Sequence, residues 1–171
     1  MISVLSIVHD TMVDGPGFRT SIYCAGCPNH CPECHNPQSW DIHHGTMTST
    51  EDIMKEIMDD PFANVTFSGG DPMFQAEGFA ELARAIRAQS DKDIWCFTGY
   101  KYENLLKNPK QFELLKLIDV LVDGPFMKDL RDEDLFFRGS SNQRLINVKK
   151  SLETGKVVEL HLTKENPIPD L

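Results

Sequence analysis

At 171 residues, with 40% hydrophobic and 25% charged residues, the chain suffices for one core and is short for two, so a single domain over 1–171 is expected. Seventeen Lys and Arg against 26 Asp and Glu leave a formal net charge of -9, which provides no global basic surface and argues against nucleic-acid binding as the main task. The first ten residues lack the basic start and long apolar core of a leader, and no 18 uncharged apolar residues run together, so a cytoplasmic protein without a membrane span is expected.

Short β-type runs alternate with helix-period segments, the pattern of an α/β fold with a mainly parallel sheet. The first strand is predicted over 18–24, and a dense group of cysteines follows it. A helix comes next, with Ile53, Met54, Ile57 and Met58 on one face behind a Ser49-x-x-Asp52 capping signal. The second strand is predicted over 64–68, followed by SGGDP at 68–72 and a helix with Phe79, Leu82, Ala83 and Ile86 on its apolar face. Strands over 93–98 and 119–122 flank a third helix marked by Leu114, Leu115 and Ile118. A strand over 144–147 and a weaker sixth over 156–160 complete the set, and Pro167 and Pro169 interrupt a polar tail, about 161–171, expected to be flexible. The unusual residues directly follow strands: Cys27 to Cys34, then Gly69 to Asp71, then Thr98 to Tyr100, then Asp123 and Gly124. In parallel α/β architectures such loops converge on one pocket at the carboxyl ends of the strands.

Four of the five cysteines lie between positions 24 and 34, an arrangement that in a reducing compartment points to metal ligation rather than disulfides. Soft thiolates on a short loop suit zinc or an iron–sulfur cluster. A structural zinc site usually joins two ligand pairs about a dozen residues apart, whereas here all four cysteines fall within eleven positions, so spacing favours iron–sulfur and leaves zinc open. The gaps of two, three and two residues differ from the ferredoxin run. Cys24 reads as a buried thiol ending the first strand and Cys96 as core packing, while His30, His35, His43 and His44 read as surface or hydrogen-bonding residues.

Cys27, Cys31 and Cys34 spell C-x3-C-x2-C, which resembles the signature of the radical S-adenosylmethionine superfamily. The resemblance implies a [4Fe–4S] cluster with three cysteine ligands and one open iron. In that family S-adenosylmethionine chelates the open iron and is reductively cleaved to a 5′-deoxyadenosyl radical, and the resemblance implies the same chemistry here. Ser68, Gly69, Gly70 and Asp71 resemble the family's glycine-glycine-acid motif, which implies a hold on the cofactor's amino group, with Asp71 facing the ammonium. Glu33 stands where the family commonly has an aromatic residue. DGPGFR at 14–19 and HNP at 35–37 are similar to glycyl-radical-enzyme activases. DIWCFTGY at 93–100, VLVDGPF at 120–126 and RGSSNQ at 138–143 resemble the activases of anaerobic, class III ribonucleoside-triphosphate reductases.

What this resemblance implies is an incomplete (β/α) barrel of five or six mainly parallel strands, a radical SAM-like partial TIM barrel. Thr98, Tyr100 and Asp123 would line the cofactor pocket, and Arg19 and Arg138 would pair with the cofactor's carboxylate or contact the partner. The partner would be the glycyl-radical subunit of the reductase, with a low-potential donor such as flavodoxin or ferredoxin supplying the electron. Activation of a formate-lyase-type enzyme, or a non-catalytic zinc or electron-transfer module, are the other readings.

Overall fold

The computed structural model describes residues 1–27, 41–132, 135 and 137–162. Its frame is a sheet whose central strands are short and apolar, as strands covered on both faces must be. In chain order these are β1 (Ile2–Thr11), β2 (Arg19–Cys24), β3 (Thr46–Thr48), β4 (Asn64–Gly69), β5 (Ile94–Phe97), β6 (Val120–Asp123) and β7 (Arg144–Asn147). The spatial order is β3-β1-β2-β4-β5-β6-β7. The middle four, β2, β4, β5 and β6, run parallel, while β1, β3 and β7 are antiparallel to their neighbours.

Two of these strands are absent from the sequence reading. β1 pairs with β2 on one side and β3 on the other, an antiparallel flank whose register depends on partners distant in sequence. The expected β7 forms but runs antiparallel: among the described residues between it and β6 the only helix is the single 3-10 turn Lys128–Leu130, with no crossover α-helix of the kind a parallel pair uses. The proposed sixth strand at 156–160 contributes only the isolated bridge of Glu159 to Ile146. The seven-stranded sheet does not close into a barrel, and its parallel centre is narrower than the five or six strands expected.

The helices follow the apolar periodicity. α1 (Thr50–Asp59) is capped by Ser49, whose hydroxyl accepts the Asp52 N–H at 3.1 Å. Ile53, Met54 and Ile57 are buried, but Met58, expected on the same face, is 41% exposed. α2 (Ala76–Gln89) buries Phe79, Leu82, Ala83 and Ile86 against the sheet, with the Phe79 ring 4.7 Å from Phe67 of β4. Phe79, Leu82 and Ile86 each contribute roughly 1.5–3 kcal/mol by leaving water. α3 (Tyr102–Leu105), α4 (Pro109–Leu115) and α5 (Val148–Thr154) are shorter. The large core gathers Ile22, Val65, Phe67, Cys96 and Leu121 with the buried faces of the helices. A smaller cluster, Trp95, Val120, Val122 and Leu145, packs with Phe137 and Leu160. Among the described residues no helix is long and apolar enough to cross a membrane.

Parallel pairing places the carboxyl ends of β2, β4, β5 and β6 side by side along one end of the sheet.

Candidate functional site

Cys24 closes β2 directly opposite Gly69 at the end of β4. Gly69 has φ +102°, and a β-carbon there would collide with the backbone nitrogen of Cys24 and lie 2.6 Å from its oxygen, so the position requires glycine. Past this contact the Gly70 N–H donates to the Cys24 carbonyl at 2.7 Å and the Asp71 N–H to the Gly26 carbonyl at 2.8 Å. The SGGD turn is thereby bonded to the backbone that leads into Cys27.

Asp71 carries the connection onward. Its side chain is fully buried; Oδ1 accepts the Thr98 hydroxyl at 2.7 Å and the Met73 N–H at 3.0 Å, and Oδ2 accepts the Gly99 N–H at 2.9 Å. Burial pushes this carboxyl up to about 6 while the three hydrogen bonds pull the other way. Thr98 N–H donates to the Val122 carbonyl at 2.9 Å, and Gly124 N–H to the Tyr100 carbonyl at 3.1 Å, tying in the loop after β6. That loop is held in turn by the 138–143 segment: Gln143 Nε2 donates to the Gly124 carbonyl at 3.0 Å and Asn142 Nδ2 to the Pro125 carbonyl at 2.8 Å. The end of β2 through Gly26 and the described loops after β4, β5 and β6 therefore form one continuous hydrogen-bonded layer.

The candidate side chains are not equivalent within it. Ser68, Gly69, Gly70 and Tyr100 are half-buried, whereas Thr98 and Asp123 are buried. Asp123 accepts the Tyr102 N–H at 2.9 Å and pairs with Arg144, whose Nη2 stands 2.6 Å away. Arg144 also makes two 2.9 Å bonds to Glu103, so three elements are locked together. Tyr100 is the one described candidate that lines a 380 Å³ cavity shared with Phe74, Gln75, Glu77, Lys110 and Gln111.

Three cysteines fall among the described residues. Cys24 and Cys96 are wholly buried, and burial pushes both thiols well above their ordinary range, which disfavours the thiolate a metal requires. Cys27, just past the strand end, is half-buried and chemically the better donor. Cys31 and Cys34 lie outside the described residues, as do His30, Glu33, His35 and the HNP string. His43 and His44 are exposed. Among the described residues no three His, Cys, Asp or Glu side chains gather closely enough to hold a metal.

Arg19 requires a correction. It begins β2 at the amino end, opposite Asn64, and is fully buried, donating to Thr66 Oγ1 and the Val65 carbonyl, each at 2.7 Å, and pairing with Asp93. It therefore stands at the far end of the strands from the loop layer and can reach neither a cofactor carboxylate nor a partner there. Arg138 donates to the Gln143 carbonyl at 3.2 Å within its own loop.

The 4Fe-4S single cluster domain family matches residues 13–146. The anaerobic ribonucleoside-triphosphate reductase-activating protein of Escherichia coli (strain K12) is 39% identical over 140 residues, covering 77% of this chain and 90% of that protein. The protein of the same name from Enterobacteria phage T4 is 36% identical over 139 residues, covering 78% and 86%. That from Vibrio cholerae serotype O1 is 37% identical over 140 residues, covering 77% and 89%. The chain belongs to this family of reductase-activating proteins. The matched span contains every candidate residue from Cys27 to Asp123.

Two connections escaped the sequence. Gln75 bonds to Ser3 and Ala25, and Arg144 pairs with Asp123; an arginine at the first position of the strand predicted over 144–147 was the available signal for the second.

Proposed function

We propose that this chain activates an anaerobic ribonucleoside-triphosphate reductase by reductive cleavage of S-adenosylmethionine at a [4Fe–4S] cluster ligated by Cys27, Cys31 and Cys34. The observation that carries the reading is the likeness to the reductase-activating proteins over most of the chain, together with an iron–sulfur family match that includes all three cysteines. When bound, the cluster and S-adenosylmethionine supply a 5′-deoxyadenosyl radical that takes hydrogen from a glycine Cα of the reductase, leaving methionine, 5′-deoxyadenosine and a glycyl radical.

The chain's own residues bind and position. Cys27 offers a half-buried thiol beside the SGGD turn, and three cysteines leave one iron of the cluster for the cofactor. Ser68, Gly69 and Gly70 present backbone to the cofactor's amino acid part, and Asp71 holds a negative charge under the loop layer that favours an ammonium. Thr98, Tyr100 and Asp123 shape the remaining wall, Asp123 through its bond to Arg144. The unclosed sheet would serve as the wall of an incomplete barrel, open enough at the strand ends to admit the partner's glycine loop, since abstraction requires approach to roughly 3–3.5 Å. The electron comes from a low-potential flavodoxin or ferredoxin in the cytoplasm.

Anaerobic reconstitution with iron and sulfide, reduction, and mixing with S-adenosylmethionine and the host's class III reductase should give a doublet glycyl resonance and 5′-deoxyadenosine. Replacing the partner's radical glycine by Ala should abolish the resonance. A silent reductase beside an activated formate-lyase-type enzyme would reassign the partner; zinc in place of iron would remove the reading.

A further inference from the structure

The stretch that carries Cys27, Cys31 and Cys34 leaves the sheet at Ala25 and is next described from Asp41. Both of its described flanks meet the same residue of β1. The Ala25 N–H donates to the Ser3 carbonyl at 2.9 Å, and the Ser3 hydroxyl donates to the Ile42 carbonyl at 2.6 Å. Ser3 is 1% exposed, so neither bond competes with bulk water. Beyond Ile42, Gly45 packs so closely that a β-carbon there would collide with Ser3 Oγ and lie 3.0 Å from the Ala25 β-carbon.

Gln75, from the turn after SGGDP, completes the arrangement with a single amide. Its Oε1 accepts the Ser3 N–H at 2.8 Å, and its Nε2 donates to the Ser3 carbonyl at 3.1 Å and to the Ala25 carbonyl at 2.8 Å. Both faces of the amide are used, and a residue of the β4–α2 turn is joined to the departing end of the cysteine stretch. β1 thus has the outgoing chain on one side, with Val4 opposite Cys24, and the returning chain on the other, with Val4 opposite Thr46.

We infer that Ser3 and Gln75 are positioning residues for the cluster, a staple that closes the two flanks of the cysteine stretch on β1. The inference rests on the proposed ligation by Cys27, Cys31 and Cys34. Pinning the flanks together removes part of the chain entropy that gathering three thiols around one cluster would otherwise cost. The bonds lie outside the ligand set, where loss of a supporting partner typically lowers metal affinity by roughly 10–100-fold.

The test uses the full chain, reconstituted anaerobically, in four forms: wild type, Ser3→Ala, Gln75→Glu and, as a destabilised control on the buried face of α2, Ile86→Val. Gln75→Glu keeps the shape and the acceptor for Ser3 N–H but sets a carboxylate oxygen against two carbonyls; Ser3→Ala removes only the bond to Ile42. The readouts are the rate of iron transfer to a chelator, the electron paramagnetic resonance of the reduced cluster, and the melting temperature of the iron-free protein. Both staple variants should release iron faster by on the order of tenfold and broaden the cluster resonance, while Ile86→Val, whatever its melting temperature, should do neither. Release rates in the staple variants that merely track melting temperature along the line set by Ile86→Val would overturn the inference while leaving the cluster assignment intact. A wild type that assembles no iron–sulfur cluster would overturn both.

Discussion

The Asp71 carboxylate receives the Thr98 hydroxyl at 2.7 Å, joining the loop after β4 to the loop after β5 inside a site with no access to water. A fully buried carboxylate with three donors is a structural joint as well as a source of charge. Asp71→Ala should therefore lower the stability of the iron-free protein, by about 1.5–3 kcal/mol for a bond to a charged group, in addition to weakening S-adenosylmethionine binding. Urea unfolding and a cofactor titration of the reconstituted protein measure the two separately. Unchanged affinity with lowered stability would reduce Asp71 to the joint alone.

The same carboxyl predicts a pH dependence. Its folded value near 6 lies above the ordinary 3.8, so the folded state binds this proton more tightly than the unfolded state. Ionised Asp71 therefore weakens folding above pH 6, and that penalty is relieved as pH falls from 6 towards 4. The stability of wild type minus that of Asp71→Asn, which cannot titrate, should rise as pH is lowered from about 7 to about 4. A difference that stays flat or falls would show that the carboxyl is not held up by burial.

Gly69→Ala should fail at the junction of β2 and β4. Its β-carbon would meet Cys24 backbone, which has no flexible end to move aside, at a φ of +102°. Overpacking and backbone strain together should cost about 3 kcal/mol or more, seen as a lower urea midpoint and loss of iron on reconstitution. An Ala variant with wild-type iron content would mean that the strand ends can separate without consequence.

Replacement of single cysteines separates core from ligand. Cys24→Ala should retain iron, at a modest stability cost of about 1 kcal/mol for the lost buried volume. Cys27→Ala, Cys31→Ala and Cys34→Ala should each lose the cluster in an iron assay. Loss in Cys24→Ala with retention in Cys34→Ala would reverse the assignment.

Arg144→Ala leaves Asp123, whose side chain is 1% exposed, without its countercharge. An uncompensated buried charge costs roughly 3–5 kcal/mol. The double variant Arg144→Ala with Asp123→Asn should recover part of that loss in thermal unfolding, because it removes the orphaned charge; no recovery would locate the effect elsewhere.

How much of this could be read from the sequence differs by the range of the interaction. The Ser49 cap, the apolar face of α2 and the glycine pair after β4 are local patterns, and each stands where the sequence puts it. β1 escaped because its meaning lies in two antiparallel partners, one close in sequence and one beyond the cysteines. Arg19 was assigned to the wrong end because its position in DGPGFR says nothing of strand polarity, whereas its pairing with Asp93 at the amino ends does. The sequence reading makes Asp71 the partner of an ammonium and Asp123 a pocket wall; the donors that surround them come from other loops and become visible only once the parallel sheet sets those loops side by side.

An open sheet exposes two rims, and a bare rim invites strands from other molecules. Here one rim carries the three-residue β3, which pairs only with Ile2, Ser3 and Val4 of β1. The other, β7, is met by the returning chain, where the Asn147 N–H donates to the Val158 carbonyl at 2.8 Å and the Leu160 N–H to the Leu145 carbonyl at 2.7 Å. The isolated bridge at Glu159 thus acts as a cover strip. A sheet left unclosed can in this way resist edge-to-edge aggregation, and removal of 156–162 should show itself first as self-association at high concentration.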